Sequence, residues 1–392
     1  MGQVDTVIEF AAAAAPQSIE LRRAVHRDPE IAWNEIRTTE RVVTALESIG
    51  LTPRVRTDGT GLVVDIGPGD PVVAFRADLD ALPIPEATDL EFQSVNAGIM
   101  HACGHDVHTA VAVGIAHVLH AMEPIPGAVR IVFQPAEENI PGGAATMIDE
   151  GLLDGIGTVV AFHVDPTLPV GAVGLRSGAI TGAADRVVIT LEGPGGHTSR
   201  PHQTVDLVAV AAHVVLDVPE LLRRIIDPRE ALAIVFGRIE GGRADNVVPS
   251  TVVLGGTIRL FNLDLWREMP KLIEGIVRDV ASTHGATVHV EYLRGAPPVI
   301  NHPTIVDSVA VAARSILGRD GVQPSHQSLG SEDFSWFLES ARGALIRLGC
   351  APDGRAVDLH SPTFDADERC IESGIAIGAG MLLELLSPGL LH

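Results

Sequence analysis

The stretch IMHACGHDV, residues 99 to 107, sets Cys103 and His105 two positions apart across Gly104. His101 and Asp106 stand beside them, and His108 follows three residues after His105. Thiolate, imidazole and carboxylate are the side chains that bind transition metals well. A Cys-x-His spacing around a glycine lets both ligands reach one site. Taken alone, Cys-Gly-His fits a buried cysteine near solvated histidines equally well. What tips the reading is that more residues of metal-binding type fall at the ends of expected strands downstream. The stretch therefore reads as half of a metal site in an α/β domain.

The apolar runs 61–66 and 72–75 are bounded by Gly and Pro, as buried strands tend to be. The second leads into RADLDALP and puts Asp78 and Asp80 just past a strand's carboxyl end, where open α/β sheets carry their sites. Residues 128–133 read as a strand ending in QPAEE, so the adjacent carboxylates Glu137 and Glu138 leave it in different directions. One can bind metal while the other handles protons. The strand at 159–162 ends in His163. Helical spacing is expected twice within 3–50, and again over 109–122, 303–317 and 372–386. His360 falls in a turn, DLHSPTFD, before the last of these, and LGSEDFSWFLE holds an acidic turn at Ser331, Glu332 and Asp333.

From about residue 181 the pattern changes. Strand 187–191, helix 205–224, strands 232–240 and 247–260, helix 265–284 and strand 287–293 give the order β-α-β-β-α-β. That order predicts a ferredoxin-like sandwich inserted into the first domain, which would comprise residues 1–180 and 296–392, with 181–295 as the insert. Two polar turns mark the insert, GPGGHTSRPH with His197 and RADNVVPS with Asn246. GPGG is followed by neither GKS nor GKT, so it is not a phosphate loop.

A chain of 392 residues is too long for one ordinary core, which agrees with two domains. Twenty-eight Lys and Arg against 50 Asp and Glu leave a net charge of −22, which disfavours nucleic acid or an anionic membrane as partner. Three cysteines, Cys103, Cys350 and Cys370, are no disulfide framework and suit a reducing compartment. The opening MGQVDTVIEF has no basic start, and no apolar run approaches about 20 residues, so a cytoplasmic location is expected.

With MHACGHD, QPAEE, the FHV after a strand, GHTSRPH, GSEDF and LHSP-FD together and in order, the chain resembles the amidohydrolase branch of the aminoacylase/carboxypeptidase superfamily of dinuclear metallohydrolases. The likeness runs from LRRAVHRDPE to LHSPTFDADE. It implies a phosphorylase/hydrolase-like metal-binding catalytic domain with an inserted ferredoxin-like α+β lid or dimerisation domain. It implies five metal ligands, matched here as Cys103, His105, Glu138, His163 and His360, with Glu137 as the general base. It matches His197 to a lid histidine that helps hold the substrate carbonyl, often across a dimer interface, and Asn246 and Arg259 to positions that bind the substrate carboxylate. Peptidase branches carry His-x-Asp where this chain has Asp78-Leu79-Asp80, so Asp80 is given a supporting place and Cys103 takes the slot of the bridging carboxylate.

The implied activity is hydrolysis of the amide bond of N-acyl amino acids, acetyl or aromatic acyl, by a homodimer. A thiolate with three imidazoles fits two Zn²⁺ or Mn²⁺ ions, with Co²⁺ or Ni²⁺ compatible, and fits Mg²⁺ badly. Two other readings stand beside it. One is a dipeptidase or carboxypeptidase using the same centre, which would need a site for a free α-amine. The other is a metal- or ligand-binding protein without turnover, against which Glu137 speaks, because a binder has no need of a second carboxylate.

Overall fold

A computed structural model describes residues 2–140, 142–352 and 357–387. The chain forms two compact units, one of residues 1–180, 300–326 and 333–392, the other of 181–299 and 327–332.

The first unit is built on an eight-stranded mixed sheet. Its strands lie in the order Arg54–Val55, Leu62–Ile66, Ala128–Gln134, Pro71–Asp78, Thr158–Pro169, Arg342–Ala351, Val173–Leu175, Val322–Pro324. The four central strands from Ala128–Gln134 to Arg342–Ala351 run parallel. They read as near-continuous apolar runs because they are buried on both faces; all seven residues of Ala128–Gln134 are buried. Helices Gln3–Arg27, His105–Ala121, Pro303–Leu317 and Arg369–Leu385 pack together around Arg369–Leu385, and His105–Ala121 also lies against the central strands. The shorter Gly143–Asp149 and the 3₁₀ turn Asp333–Glu339 pack on each other.

Register brings the strand ends level. Asp78 pairs with Gln134, and Arg76 pairs with Ala161, so His163 stands two residues further along, in the row of Asp78. The residues after Gln134 and the side chain of His163 therefore begin from one edge of the sheet.

One helix starts earlier than its apolar spacing suggests. It runs His105–Ala121 rather than from residue 109, with Gly104 as N-cap in the left-handed region at φ 82°. Its first turn, HDVH, is polar yet buried, because His105, Asp106 and His108 each find a buried partner. Apolar periodicity is blind to such a turn.

In the second unit the sheet order is Leu232–Gly241, Thr251–Leu260, Ala183–Glu192, Thr287–Leu293, antiparallel throughout. With helices Leu207–Ile225 and Leu263–Thr283 packed against each other and the sheet, this is the ferredoxin-like β-α-β-β-α-β arrangement. Alternate residues of Ala183–Glu192 are buried, as in a sheet covered on one face. The strand expected over 247–260 is split. Val247–Val248 pairs with Gly196–His197, and Thr251–Leu260 joins the sheet after Pro249, which has no N–H for a ladder. Among the described residues no helix is long and apolar enough to cross a membrane.

Candidate metal centre

The Cys-Gly-His turn gathers its ligands by a backbone device. Gly104 turns the chain through the left-handed region, so Cys103 precedes the helix while His105 opens it. The thiol and ring then meet donors from three other segments. Cys103 Sγ lies 3.6 Å from His163 Nε2 and 3.3 Å from His360 Nε2. His360 Nε2 is 3.1 Å from Glu138 Oε1. Donor atoms of Cys103, His105 and His163, of Cys103, Glu138 and His360, and of His105, Glu137 and Glu138 form triplets whose members all lie within 4.8 Å of one another. Thus Cys103, His105, Glu138, His163 and His360 surround one small space, with Glu137 at its rim.

The loop behind Gln134 is aimed by strain. Ala136 sits at φ 54°, uncommon for a residue with a side chain. Its N–H donates to Glu35 Oε1 at 2.8 Å and its carbonyl accepts from Gly143 N at 3.0 Å. His360 is likewise at φ 61°, held by its N–H on the Ala102 carbonyl at 2.8 Å.

The ring tautomers follow from outer partners. His105 Nδ1 donates to the Asp80 carbonyl at 2.9 Å, and His163 Nδ1 donates to the Val164 carbonyl at 2.8 Å. Each ring thereby turns its Nε2 toward the cluster, with the usual second contact of a ligating histidine at Nδ1. His105 Nε2 and Glu138 Oε1 are buried without a hydrogen-bond partner; the 3.1 Å approach of His360 to Glu138 is an ion-pair distance, not a well-directed bond. Buried ligand atoms converging without partners are costly unless a cation sits among them. The donor set therefore fits divalent transition ions.

Charge agrees. Cys103 and then Glu138, both close to its Nε2, push His360 up to about 10. Burial works against the His105 charge, yet Asp78 and Cys103 raise its pKa well above the usual value. Burial, seconded by Glu138, raises the Cys103 thiol. The cluster is thus short of positive charge and draws protons where it can. His163 is the exception: burial and then Arg347, its register partner on the next strand, hold it down and neutral.

Asp80 acquires a definite place. One oxygen lies 3.3 Å from His105 Nδ1 and the other accepts the Glu138 N–H at 2.9 Å, so it orients two donors from behind. His108, although one helical turn from His105, is closed: Nδ1 meets Asp78 Oδ1 at 2.6 Å and Nε2 accepts from Val164 N at 2.9 Å. Residue type alone did not separate such supports from ligands. Asp78 and His108 stand in the motifs without a role that residue type can assign, and Arg76, Gln134 and Glu35 carry no motif; the one signal for Arg76 is a charge inside an apolar strand.

His197, Asn246 and Arg259 belong to the second unit. There GPGGHTSRPH and RADNVVPS meet: Thr198 N donates to the Asn246 carbonyl at 3.1 Å, and His197 pairs with Val247. His197 Nδ1 accepts from Ser199 N at 3.1 Å, which leaves its proton on Nε2 as an exposed donor. Arg259 gives one guanidinium N–H to the Leu329 carbonyl.

Residues 74–384 match the family model described as peptidase family M20/M25/M40. A Rhodococcus jostii protein named for glutamate–cysteine ligase is 42% identical over 91% of this chain, but the match spans only 45% of that protein. A probable hydrolase of Synechocystis sp. is 40% identical over 93% of this chain and 95% of its own length. An N-acyl-L-amino acid amidohydrolase of Geobacillus stearothermophilus is 39% identical over 84% of this chain and 90% of its own. A solved Bacillus subtilis structure, described as a dinuclear metal binding peptidase from the M20 family, superposes with TM-score 0.85 at 30% identity, covering 96% of this chain and 99% of that one. With most of its length matched and its donors so gathered, the chain belongs to peptidase family M20/M25/M40, in its amidohydrolase branch, and is a metal-dependent hydrolase acting on amides.

Proposed function

We propose that the protein hydrolyses N-acyl amino acids, acetyl or aromatic acyl, to a carboxylate and a free amino acid. Two divalent ions, Zn²⁺ or Mn²⁺ before Co²⁺ or Ni²⁺, would be held by Cys103, His105, Glu138, His163 and His360. The observation that carries this is the convergence of those donors beside an additional carboxylate, Glu137, whose Oε2 is 3.9 Å from His105 Nε2. The named activity of the Geobacillus relative and the dinuclear description of the Bacillus structure support the substrate class and the ion count.

Bound ions of this kind polarise the acyl carbonyl and acidify the attacking water. Glu137 takes the proton of that water and returns it to the departing nitrogen, which needs it because an amide anion leaves poorly. His197 Nε2–H is a donor suited to the developing oxyanion, and Asn246 and Arg259 suit the substrate carboxylate. We assign the catalytic role to the first unit and a lid and dimerisation role to the second. A homodimer through the second unit is supported by the sheet's edge strand Leu232–Gly241, which exposes Val235 and Ile239, and by the helix Leu207–Ile225, which exposes Val208, Leu216 and Ile225.

The test is a panel of N-acyl amino acids and free dipeptides, assayed for amine release on protein of measured metal content. Release from acylated substrates with little from dipeptides supports the proposal. Preference for dipeptides transfers it to the peptidase reading. Metal bound with no release from either would leave a binding protein.

A further inference from the structure

The acidic turn GSEDF has no part in the chemistry above, yet its Asp333 is buried and drawn into the loop that carries Glu137 and Glu138. Asp333 Oδ1 accepts from Arg76 Nη2 at 3.0 Å and from Gln134 Nε2 at 2.8 Å. Its Oδ2 accepts from Gln134 Nε2 at 2.8 Å and from the Ala144 N–H at 3.1 Å. Gln134 is the last residue of the strand before the loop, and Ala144 lies in the first turn of the helix after it. One carboxylate therefore holds both ends of the loop.

Arg76 stiffens this clamp. Its Nε donates to Gln134 Oε1 at 2.8 Å and its Nη1 to Asp78 Oδ2 at 2.6 Å, so Gln134 is gripped from both sides. The fit is tight where loop meets helix: a Cβ on Gly142 would stand 2.1 Å from Asp333 Oδ2, and one on Gly143 would stand 1.9 Å from the Pro135 carbonyl oxygen. Asp333 also reaches the base directly, its own N–H lying 3.4 Å from Glu137 Oε1.

We propose that Asp333 is a positioning residue for hydrolysis, fixing the reach of Glu137 by closing its loop at both ends and presenting an N–H to its carboxylate. This rests on the reading of Glu137 as the base. A long hydrogen bond in the resting site is what a base still to be tightened against substrate would show. The clamp acts on proton transfer and not on substrate binding, so its loss falls on kcat.

The experiment compares wild type, Asp333→Asn, Asp333→Ala, Gly142→Ala and Gly142→Ala/Asp333→Ala, each reconstituted with Zn²⁺ and with Mn²⁺. Asp333→Asn keeps the size but turns one acceptor into a donor facing donors. Gly142→Ala pushes on Oδ2 from a site that touches no reacting group, and its φ of −77° suits alanine. Both are expected to lower kcat about 10–10²-fold, the scale of a misplaced catalytic group, with KM within about twofold and metal stoichiometry unchanged. Hydrogen–deuterium exchange of the peptide spanning 135–147 should quicken, because the Ala144 N–H loses its acceptor. In the double variant the clash partner is gone, so the two losses should not add. Wild-type kcat in Asp333→Asn or Gly142→Ala overturns the proposal, as does full additivity in the double variant or a loss seen in KM alone. A wild type that releases amine from no substrate overturns the functional reading instead, and the exchange measurement then decides the clamp by itself.

Discussion

Gly104→Ala puts one methyl group at the turn on which the centre depends. Two separate costs follow. The residue stands at φ 82° and ψ 18°, the left-handed region, which costs a residue with a Cβ about 1–2 kcal/mol. The new Cβ would also stand 2.4 Å from Val164 Cγ2, and forcing a methyl into packed surroundings costs about 1–3 kcal/mol more. The expected loss is therefore about 2–5 kcal/mol, which lowers Tm by roughly 5–15 °C in a domain of this size. Thermal and urea unfolding of metal-free protein read it without contribution from bound ions. Gly59→Ala is the control: its φ is 86° but a Cβ there meets nothing within 4 Å, so it isolates the backbone cost at about 1–2 kcal/mol. Val164→Ala is the complement, since it opens the space the new methyl needs and should be less harmful in the Gly104→Ala background than alone. If Gly104→Ala matched Gly59→Ala, or if Val164→Ala were fully additive, the close approach to Val164 would be wrong. Metal affinity should fall as well, because Cys103 and His105 flank the turn.

Cys103→Ser should lower metal content and amine release together, whereas Cys350→Ser and Cys370→Ser, buried in the apolar core and outside the donor groups, should leave metal content unchanged. Glu137→Gln should keep its metal and lose about 10²–10⁴-fold in turnover, as expected for removal of a general base. Metal uptake near pH 7 should release protons, because His360 is held up to about 10 and the Cys103 thiol is raised; affinity then falls as pH falls, and calorimetry in buffers of different ionisation enthalpy counts the protons. Asp106→Ala strips Arg22 and His26 of a shared buried partner at 2.7 and 2.9 Å and should cost about 3–5 kcal/mol. Despite its burial, Arg22 and His26 hold the Asp106 carboxyl well below its usual value, so its contribution is full above about pH 4 and is lost as pH falls toward that lower value; the gap between wild type and variant in urea unfolding should narrow in acid.

How much of this was legible in the sequence depends on what carries the signal. Long elements declared themselves. The inserted β-α-β-β-α-β order could be read because its strands alternate and its helices are amphipathic over many residues. Strands of three residues such as Val173–Leu175 and Val322–Pro324 have no period to read. They exist because a neighbouring strand offers them a ladder, which is a tertiary fact. The polar first turn of His105–Ala121 was missed for a related reason: its burial is secured by Arg22, His26, Asp78 and Asp80, which come from elsewhere in the chain.

The same distinction runs through the site. Residue type shows that a side chain can bind a metal, but not where its lone pairs point. Asp78 and Asp80 are two residues apart, chemically identical and equally buried, yet Asp78 answers Arg76 and His108 while Asp80 answers His105 and the Glu138 N–H. His105 and His108 share a helix face, and only the Val164 N–H removes the second from the set of open donors. A donor is recognised by the partner it lacks, as with the bare Nε2 of His105, and a support by having both ends taken. Neither property belongs to a residue alone. It follows that substitutions of the closed groups should act on geometry before they act on ion count, with Asp80→Asn disturbing His105 and Glu138 together where His108→Gln would disturb the strand at Val164.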